Sequence, residues 1–303
     1  IFHVPIPRKV TNITGILKAY KQVKRLCADR NYKVIHCHSP IGGVIARVAA
    51  KGARHNGTKV IYTAHGFHFY DGAPKRNWLL FYPIEKICSK WTDILITINQ
   101  EDYFRAKKNF CAKRVAYVPG VGVDTEKFSL GGIDLEKKRD ELGVAVDDIM
   151  LLSIGELSDR KNHEVVIQAL KEVSNPKIKY FIVGQGPLEQ KLVNLVETLG
   201  LTKQVILLGY RTDVSELCQA ADLFVFPSHQ EGLPVALMEA IACKTPVICS
   251  NIRGNKDIVK GNRYLFDEND VEDLVKCIKS VGSSRTEIKN IMGASIRSNY
   301  HNL

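Results

Sequence analysis

The sequence predicts an α/β protein built as two doubly wound domains. Short apolar segments of strand length alternate with segments of helical period along the chain. The strand segments are continuously apolar rather than alternating, as parallel strands covered on both faces must be. The pattern breaks once, in a polar, glycine-bearing stretch, and then restarts. A chain of 303 residues suits two domains of about 150 residues. The boundary is expected within 128–147, dividing the chain as 1–130 and 131–303.

In the first domain, 14–29 reads as a helix, with Leu17, Tyr20 and Cys27 near one stripe and Lys18, Lys21 and Arg25 on another. Strands follow at 32–37, 59–63, 93–98 and 114–118, with helices at 42–51, 77–90 and 101–109 between them. In the second domain the strands are 150–154, 180–183, 205–208, 223–226 and 245–249. The intervening helices are 163–173, 188–199, 214–220 and 234–243, with later helices at 271–281 and 288–298. Ligands of doubly wound sheets bind beyond the carboxyl ends of the strands. Residues at those ends are therefore the candidates for chemistry.

Composition narrows the class. The chain is 45% hydrophobic and 25% charged, which is globular. No apolar run approaches the roughly 18 residues of a membrane span. Eight cysteines without a C-x-x-C pair read as thiols of a reducing, cytoplasmic compartment. His36, Cys37 and His38 suggest a metal only weakly, because alternation along a strand turns Cys37 away from both histidines. The net charge of +11 is uneven: residues 1–130 hold 22 Lys and Arg against 8 Asp and Glu. One domain therefore faces something anionic, or carries a solvated basic surface.

Three stretches stand at strand ends. In 226–248 (FPSHQEGLPVALMEAIACKTPVI), Glu231 and Gly232 precede a helix whose first turn holds Pro234. The free N–H groups of Gly232, Leu233 and Val235, with the helix dipole, make an anion site suited to a diphosphate. Glu231 would accept hydrogen bonds from sugar hydroxyls and Glu239 from a ribose; a generic βα turn with two surface glutamates is the other reading. In 153–163 (SIGELSDRKNH), Gly155 leads to Lys161, which is either a phosphate-neutralising point charge or a solvated turn lysine. In 60–69 (VIYTAHGFHF), His65 stands at a strand end beside Gly66, either structural or functional. Gly184 and Gly186 fit a tight turn better than a dinucleotide fingerprint. No P-loop, G-x-S-x-G or H-E-x-x-H pattern occurs.

Gly155 and Lys161, followed by Glu231 and Glu239, resemble the retaining nucleotide-sugar glycosyltransferases of family 4, with the two-Rossmann GT-B fold. The segments 38–43 (HSPIGG), 63–69 (TAHGFHF), 95–99 (LITIN) and 118–124 (VPGVGVD) resemble its bacterial capsular and exopolysaccharide branch. The resemblance implies that Lys161 binds the donor diphosphate, Glu231 the donor sugar and Glu239 the ribose, while His65 reaches the donor from the amino-terminal domain. It implies that the base docks at Gly209, Tyr210 and Arg211. Where the family commonly has arginine after the first glycine, this chain has Glu156, and Arg160 or the helix dipole is the substitute. It also implies that the first domain lacks its opening strand and glycine-rich loop, and that the chain stops short at the carboxyl end.

The expected function is retaining transfer of a sugar from a nucleotide diphosphate, UDP by preference, to a lipid-linked or saccharide acceptor in cell-surface polysaccharide synthesis. No metal or other cofactor is expected: Lys161 and helix N–H groups replace it, and no Asp-x-Asp occurs. The alternatives are a nucleotide-sugar epimerase, or a nucleic-acid or anionic-surface binder without catalysis. The chain carries no recognised nucleic-acid module, so nucleic acid is not expected as a partner. Lys18, Lys21, Lys24 and Arg25 on one helix, and Lys75, Arg76, Lys86 and Lys90 around Trp78, Leu79, Leu80, Phe81 and Tyr82, predict reversible docking on the inner leaflet of the plasma membrane. The opposing reading packs Trp78, Phe81 and Tyr82 in the core.

Overall fold

The computed structural model describes residues 2–7, 9–129, 131–259, 261, 264–280, 282 and 286–288. The chain divides into two compact units, Ile1–Val121 and Gly122–Leu303. The division falls earlier than residue 130. Gly120 and Gly122 turn the chain at φ +76° and +81°, and Val123 and Phe128 already pack into the second core.

The first unit runs α1 (Ile13–Asp29), β1 (Val34–Cys37), α2 (Pro40–Ala49), α3 (Lys51–His55), β2 (Lys59–Ala64), α4 (Lys75–Ser89), β3 (Ile94–Thr97), α5 (Gln100–Asn109) and β4 (Arg114–Tyr117). Its four strands lie parallel in the order β1-β2-β3-β4. Helix α2 begins at Pro40, two residues earlier than expected, because the Ser39 hydroxyl caps it by accepting the Gly42 N–H. A Cβ on Gly43 would lie 2.6 Å from the Tyr62 ring, so only glycine lets α2 sit down on β2. One turn on, the buried Arg47 stacks over Tyr62 at 4.0 Å and pairs with Glu85 of α4 at 2.8 Å. The core is aromatic: Phe67, Phe69, Trp78, Tyr82 and Phe110 form one cluster of ring contacts. Trp78, Phe81 and Tyr82 thus pack inward.

The second unit runs α6 (Leu135–Glu141), β5 (Ile149–Ile154), α7 (His163–Val173), β6 (Ile178–Val183), α8 (Glu189–Thr198), β7 (Val205–Gly209), α9 (Val214–Ala220), β8 (Leu223–Phe226), α10 (Val235–Ala242), β9 (Val247–Ser250), α11 (Asn255–Ile258), β10 (Leu265–Phe266) and α12 (Val271–Ser280). The sheet is parallel, in the order β10-β9-β8-β5-β6-β7. Strands β8 and β9 are buried at every position, which is why they read as unbroken apolar runs. The strand order reverses between β5 and β8. That reversal opens a crevice at their carboxyl ends, where ligands of such sheets bind.

Helix α6 falls in the stretch read as a polar linker. Asp134 caps it by accepting the Lys137 N–H. Its Arg139 is buried, donating to Asp222 at 2.9 Å and to the carbonyls of Ala220 and Asp148. Strand β10 and helices α3 and α11 were also not expected. Of the helix expected over 288–298, all but Ile288 lies outside the described residues.

Candidate functional site

The residues at the β5/β8 reversal are drawn together. After β5 the chain makes a single 3-10 turn, Asp159–Lys161, and then starts α7. After β8 it runs through Ser228 to Glu231 and into α10. The Lys161 ammonium lies 2.8 Å from Glu231 Oε1, and Arg160 reaches the same oxygen at 2.8 Å. Arg160 also donates to the Gln230 carbonyl at 3.2 Å, and its own carbonyl accepts the His229 N–H at 2.9 Å. Two cations and one carboxylate therefore tie the two loops.

Glycines set the spacing. A Cβ on Gly155 would stand 2.9 Å from Lys161 Cε, so the lysine stem lies along bare backbone. A Cβ on Gly184 would fall 1.8 Å from the Gly155 carbonyl oxygen, and Gly184 has φ +146°. Gly184 and Gly186 thus pack the loop after β6 against the loop after β5. On the other side, Gly254 at φ +80° brings its backbone against Gly232. Sequence reasoning missed Gly254; its position between a strand and a short helix, with Asn255 behind it, was the available signal.

Burial shapes the charges. The Lys161 and Glu231 side chains are only 11% and 10% exposed. Burial pushes the Lys161 ammonium down, and the Glu231 carboxylate opposes that shift. The Lys161 cation also sits 4.5 Å over the Phe226 ring. Behind this turn His163 is buried, its Nδ1 3.4 Å from the Tyr180 hydroxyl. Tyr180 in turn donates to Ser153, and Ser153 to the Val225 carbonyl. Burial, aided by the Lys161 charge, pushes His163 down to about 4. His163 is thus a neutral anchor that fastens the loop after β5 to the sheet.

Pro234 is not in the first helical turn. Its ψ of 113° makes it the residue before α10, which starts at Val235. Pro234 makes no side-chain cap here, and the first N–H groups of α10, as of any helix, lack intrahelical acceptors. They follow Gly232 and Leu233 directly, and the positive helix end stands beside the Lys161–Glu231 pair. Val235 and Glu239 lie one turn apart on α10. Burial pushes the Glu239 carboxyl up, with Lys127 opposing.

Other expected residues stand apart. Tyr210 is 72% exposed at the end of β7. The Arg211 guanidinium is engaged by Asp213 at 2.6 Å and Glu141 at 3.1 Å, so any role toward a base falls to its backbone. In the first unit, His65 Nε2 lies 3.1 Å from His38 Nδ1, and His36 Nε2 lies 2.9 Å from the Thr63 hydroxyl. Burial, then His38, push the His65 imidazole down. Cys37 points to the opposite face, toward the Ile61 carbonyl. Asn99 is buried and caps α5, accepting the Asp102 N–H.

Residues 134–298 match the sequence model of the glycosyl transferases group 1, and residues 1–99 match that of the glycosyl transferase 4-like proteins. EpsD of Bacillus subtilis is 41% identical over 270 residues, which are 88% of this chain and 70% of EpsD. The Escherichia coli UDP-Gal:alpha-D-GlcNAc-diphosphoundecaprenol alpha-1,3-galactosyltransferase is 30% identical over 310 aligned positions, covering 98% of this chain and 78% of that enzyme. The crystal structure of Anabaena Alr3699/HepE in complex with UDP and glucose superposes with a TM-score of 0.76 at 19% identity, covering 98% of this chain and 80% of that one. That likeness gives the fold, GT-B.

Proposed function

We propose that this chain, which belongs to the glycosyl transferases of group 1, moves a sugar from a UDP-sugar to a lipid-linked saccharide, with retention, in cell-surface polysaccharide synthesis. The observation that carries the proposal is the Lys161–Glu231–Arg160 cluster beside the amino-terminal end of α10. Lys161, Arg160 and the N–H groups after Gly232 would take the diphosphate. Glu231, released from its cations, would hold the sugar, and Glu239 the ribose. His65 would reach the donor from the first unit. Arg160 supplies the cation that Glu156 does not. The E. coli relative named above acts on a diphosphoundecaprenol-linked sugar with UDP-Gal, which supports the choice of donor and acceptor class.

Retention would proceed on one face of the sugar. The anomeric carbon's bond to the diphosphate oxygen breaks as its bond to the acceptor oxygen forms, and the departing phosphate takes the acceptor's proton. The protein supplies position and charge. Because cationic side chains and N–H groups offset the diphosphate charge, no metal is required. Transfer is expected to be unchanged in excess chelator; complete loss, restored by a divalent ion, would contradict this.

Screening UDP-, GDP- and ADP-sugars by thermal shift tests the donor choice, since a ligand of the folded state raises its stability by mass action. UDP-sugars are expected to give the largest shift. A shift with GDP- or ADP-sugars alone would overturn the assignment of the base.

We further place the protein at the cytoplasmic face of the membrane. Among the described residues no helix is long and apolar enough to cross a bilayer. Helix α4 instead turns Leu79, Leu80, Ile84 and Ile87 outward, Leu79 at 80% exposure, with Lys75, Arg76 and Lys86 on the same helix. An apolar stripe flanked by cations suits an anionic interface. Co-sedimentation with vesicles is expected to rise with anionic lipid content and fall with salt. Equal, negligible binding to neutral and anionic vesicles at low salt would refute it.

A further inference from the structure

The first unit contains a cavity of about 700 Å³ that the transfer site does not use. Its walls are residues between Ile6 and Thr11, before α1, the start of α2, His68, and Phe81 of α4. Ile6, Val10, Pro40, Ile41 and Phe81 make it mainly apolar. Its volume lies within the range of small-molecule sites, roughly 300–1,000 Å³. Its position follows from topology. Ser39 and Pro40 follow β1, and His68 follows β2, so the cavity opens at the carboxyl end of the sheet, where such sheets take ligands.

The charged part of the wall has one sign. Among the described residues, Lys9 lines the cavity and no carboxylate does. The whole unit holds 21 Lys and Arg against 6 Asp and Glu. An apolar hollow with a cation in its wall, in a strongly basic unit, is complementary to an amphiphile with an anionic head. A neutral lipid would leave the charge unused, and a sugar would leave the apolar walls unused.

We propose that this cavity seats the first isoprene units of the acceptor's polyprenyl diphosphate carrier, with Lys9 facing the diphosphate. The assignment rests on the lipid-linked acceptor proposed above. It adds a chain-binding subsite at the sheet end that also carries His36, His38 and His65. Each methylene buried there should tighten binding up to roughly fourfold, so affinity should depend on chain length.

The test uses the full chain and prenyl diphosphates as probes, kept below their micelle concentrations. Farnesyl diphosphate is expected to bind at least tenfold more tightly than isopentenyl diphosphate. Val10→Glu and Ile41→Glu should abolish that gain while leaving UDP affinity unchanged. Val10 is about half exposed, so its substitution leaves the core intact. Lys9→Glu should weaken both probes and preserve the gain. Equal affinity for the two probes, a gain that survives both glutamate variants, or farnesol binding as tightly as farnesyl diphosphate would overturn the proposal. UDP-sugar binding separates this outcome from the parent reading. If the chain-length gain appears but no UDP-sugar binds or is transferred, the transfer reading fails and the prenyl site stands.

Discussion

Lys161→Ala is expected to weaken UDP binding by about 1.5–3 kcal/mol, the worth of a hydrogen bond to a charged group, which is roughly 10- to 150-fold in affinity. Solvent screening does little to reduce this, because the side chain is only 11% exposed. Glu231→Ala should behave differently. Glu231 accepts from both Lys161 and Arg160 through one oxygen. Its removal frees two cations, so UDP binding should be unchanged or tighter. Turnover should fall by about 10²-fold or more, as when a preorganised electrostatic contact is lost. Calorimetric titration of UDP alongside transfer kinetics separates the two variants. Equal loss of UDP affinity in both would mean that Glu231 supports the loop and does not hold the sugar.

The second large effect is on stability. Arg139→Ala should cost the second unit about 3–5 kcal/mol, the penalty for breaking a buried ion pair from one side. Arg139 and Asp222 are 3% and 1% exposed. Without Arg139, the Asp222 carboxylate keeps the Met150 N–H but loses its cation, and the Ala220 and Asp148 carbonyls lose a donor. Against a typical total of about 5–15 kcal/mol, such a loss should show as a clear drop in the urea midpoint. The exposed neighbour Lys137→Ala should change it by about 0.5 kcal/mol or less. A similar midpoint for both variants would show that the Arg139 pair adds nothing net.

What the sequence disclosed follows the physics of each signal. Buried parallel strands such as Leu223–Phe226 announce themselves as unbroken apolar runs, so the α/β alternation was legible, whereas the strand order and its reversal rest on pairings between segments far apart in sequence. Lys161 and Glu231 stood out as candidates because both lie in loops that follow a strand, and the family resemblance singled them out from a solvated lysine and a generic turn. Their shared hydrogen bond was not legible, because 70 residues separate them and only the β5–β8 pairing joins them. Helix α6 was hidden because its seven residues are mostly charged, and its one buried group is an arginine whose partner lies 83 residues away. Strand β10 has two residues, too few for any period. The aromatics of α4 show the limit of composition. The sequence left them open to a bilayer or to a core, and ring contacts with Phe69 and Phe110 placed Trp78 and Tyr82 in the core.

The central claim is that the Lys161–Glu231 site holds a UDP-sugar for transfer to a lipid-linked saccharide. It is tested most directly by incubating the protein with a labelled UDP-sugar, a prenyl-diphosphate saccharide and excess chelator, and determining the anomeric configuration of the product by NMR. The account predicts a lengthened acceptor whose new linkage keeps the donor's configuration, with release of UDP and loss of product in Glu231→Ala. An altered free donor formed without acceptor, or a product of inverted configuration, would contradict it.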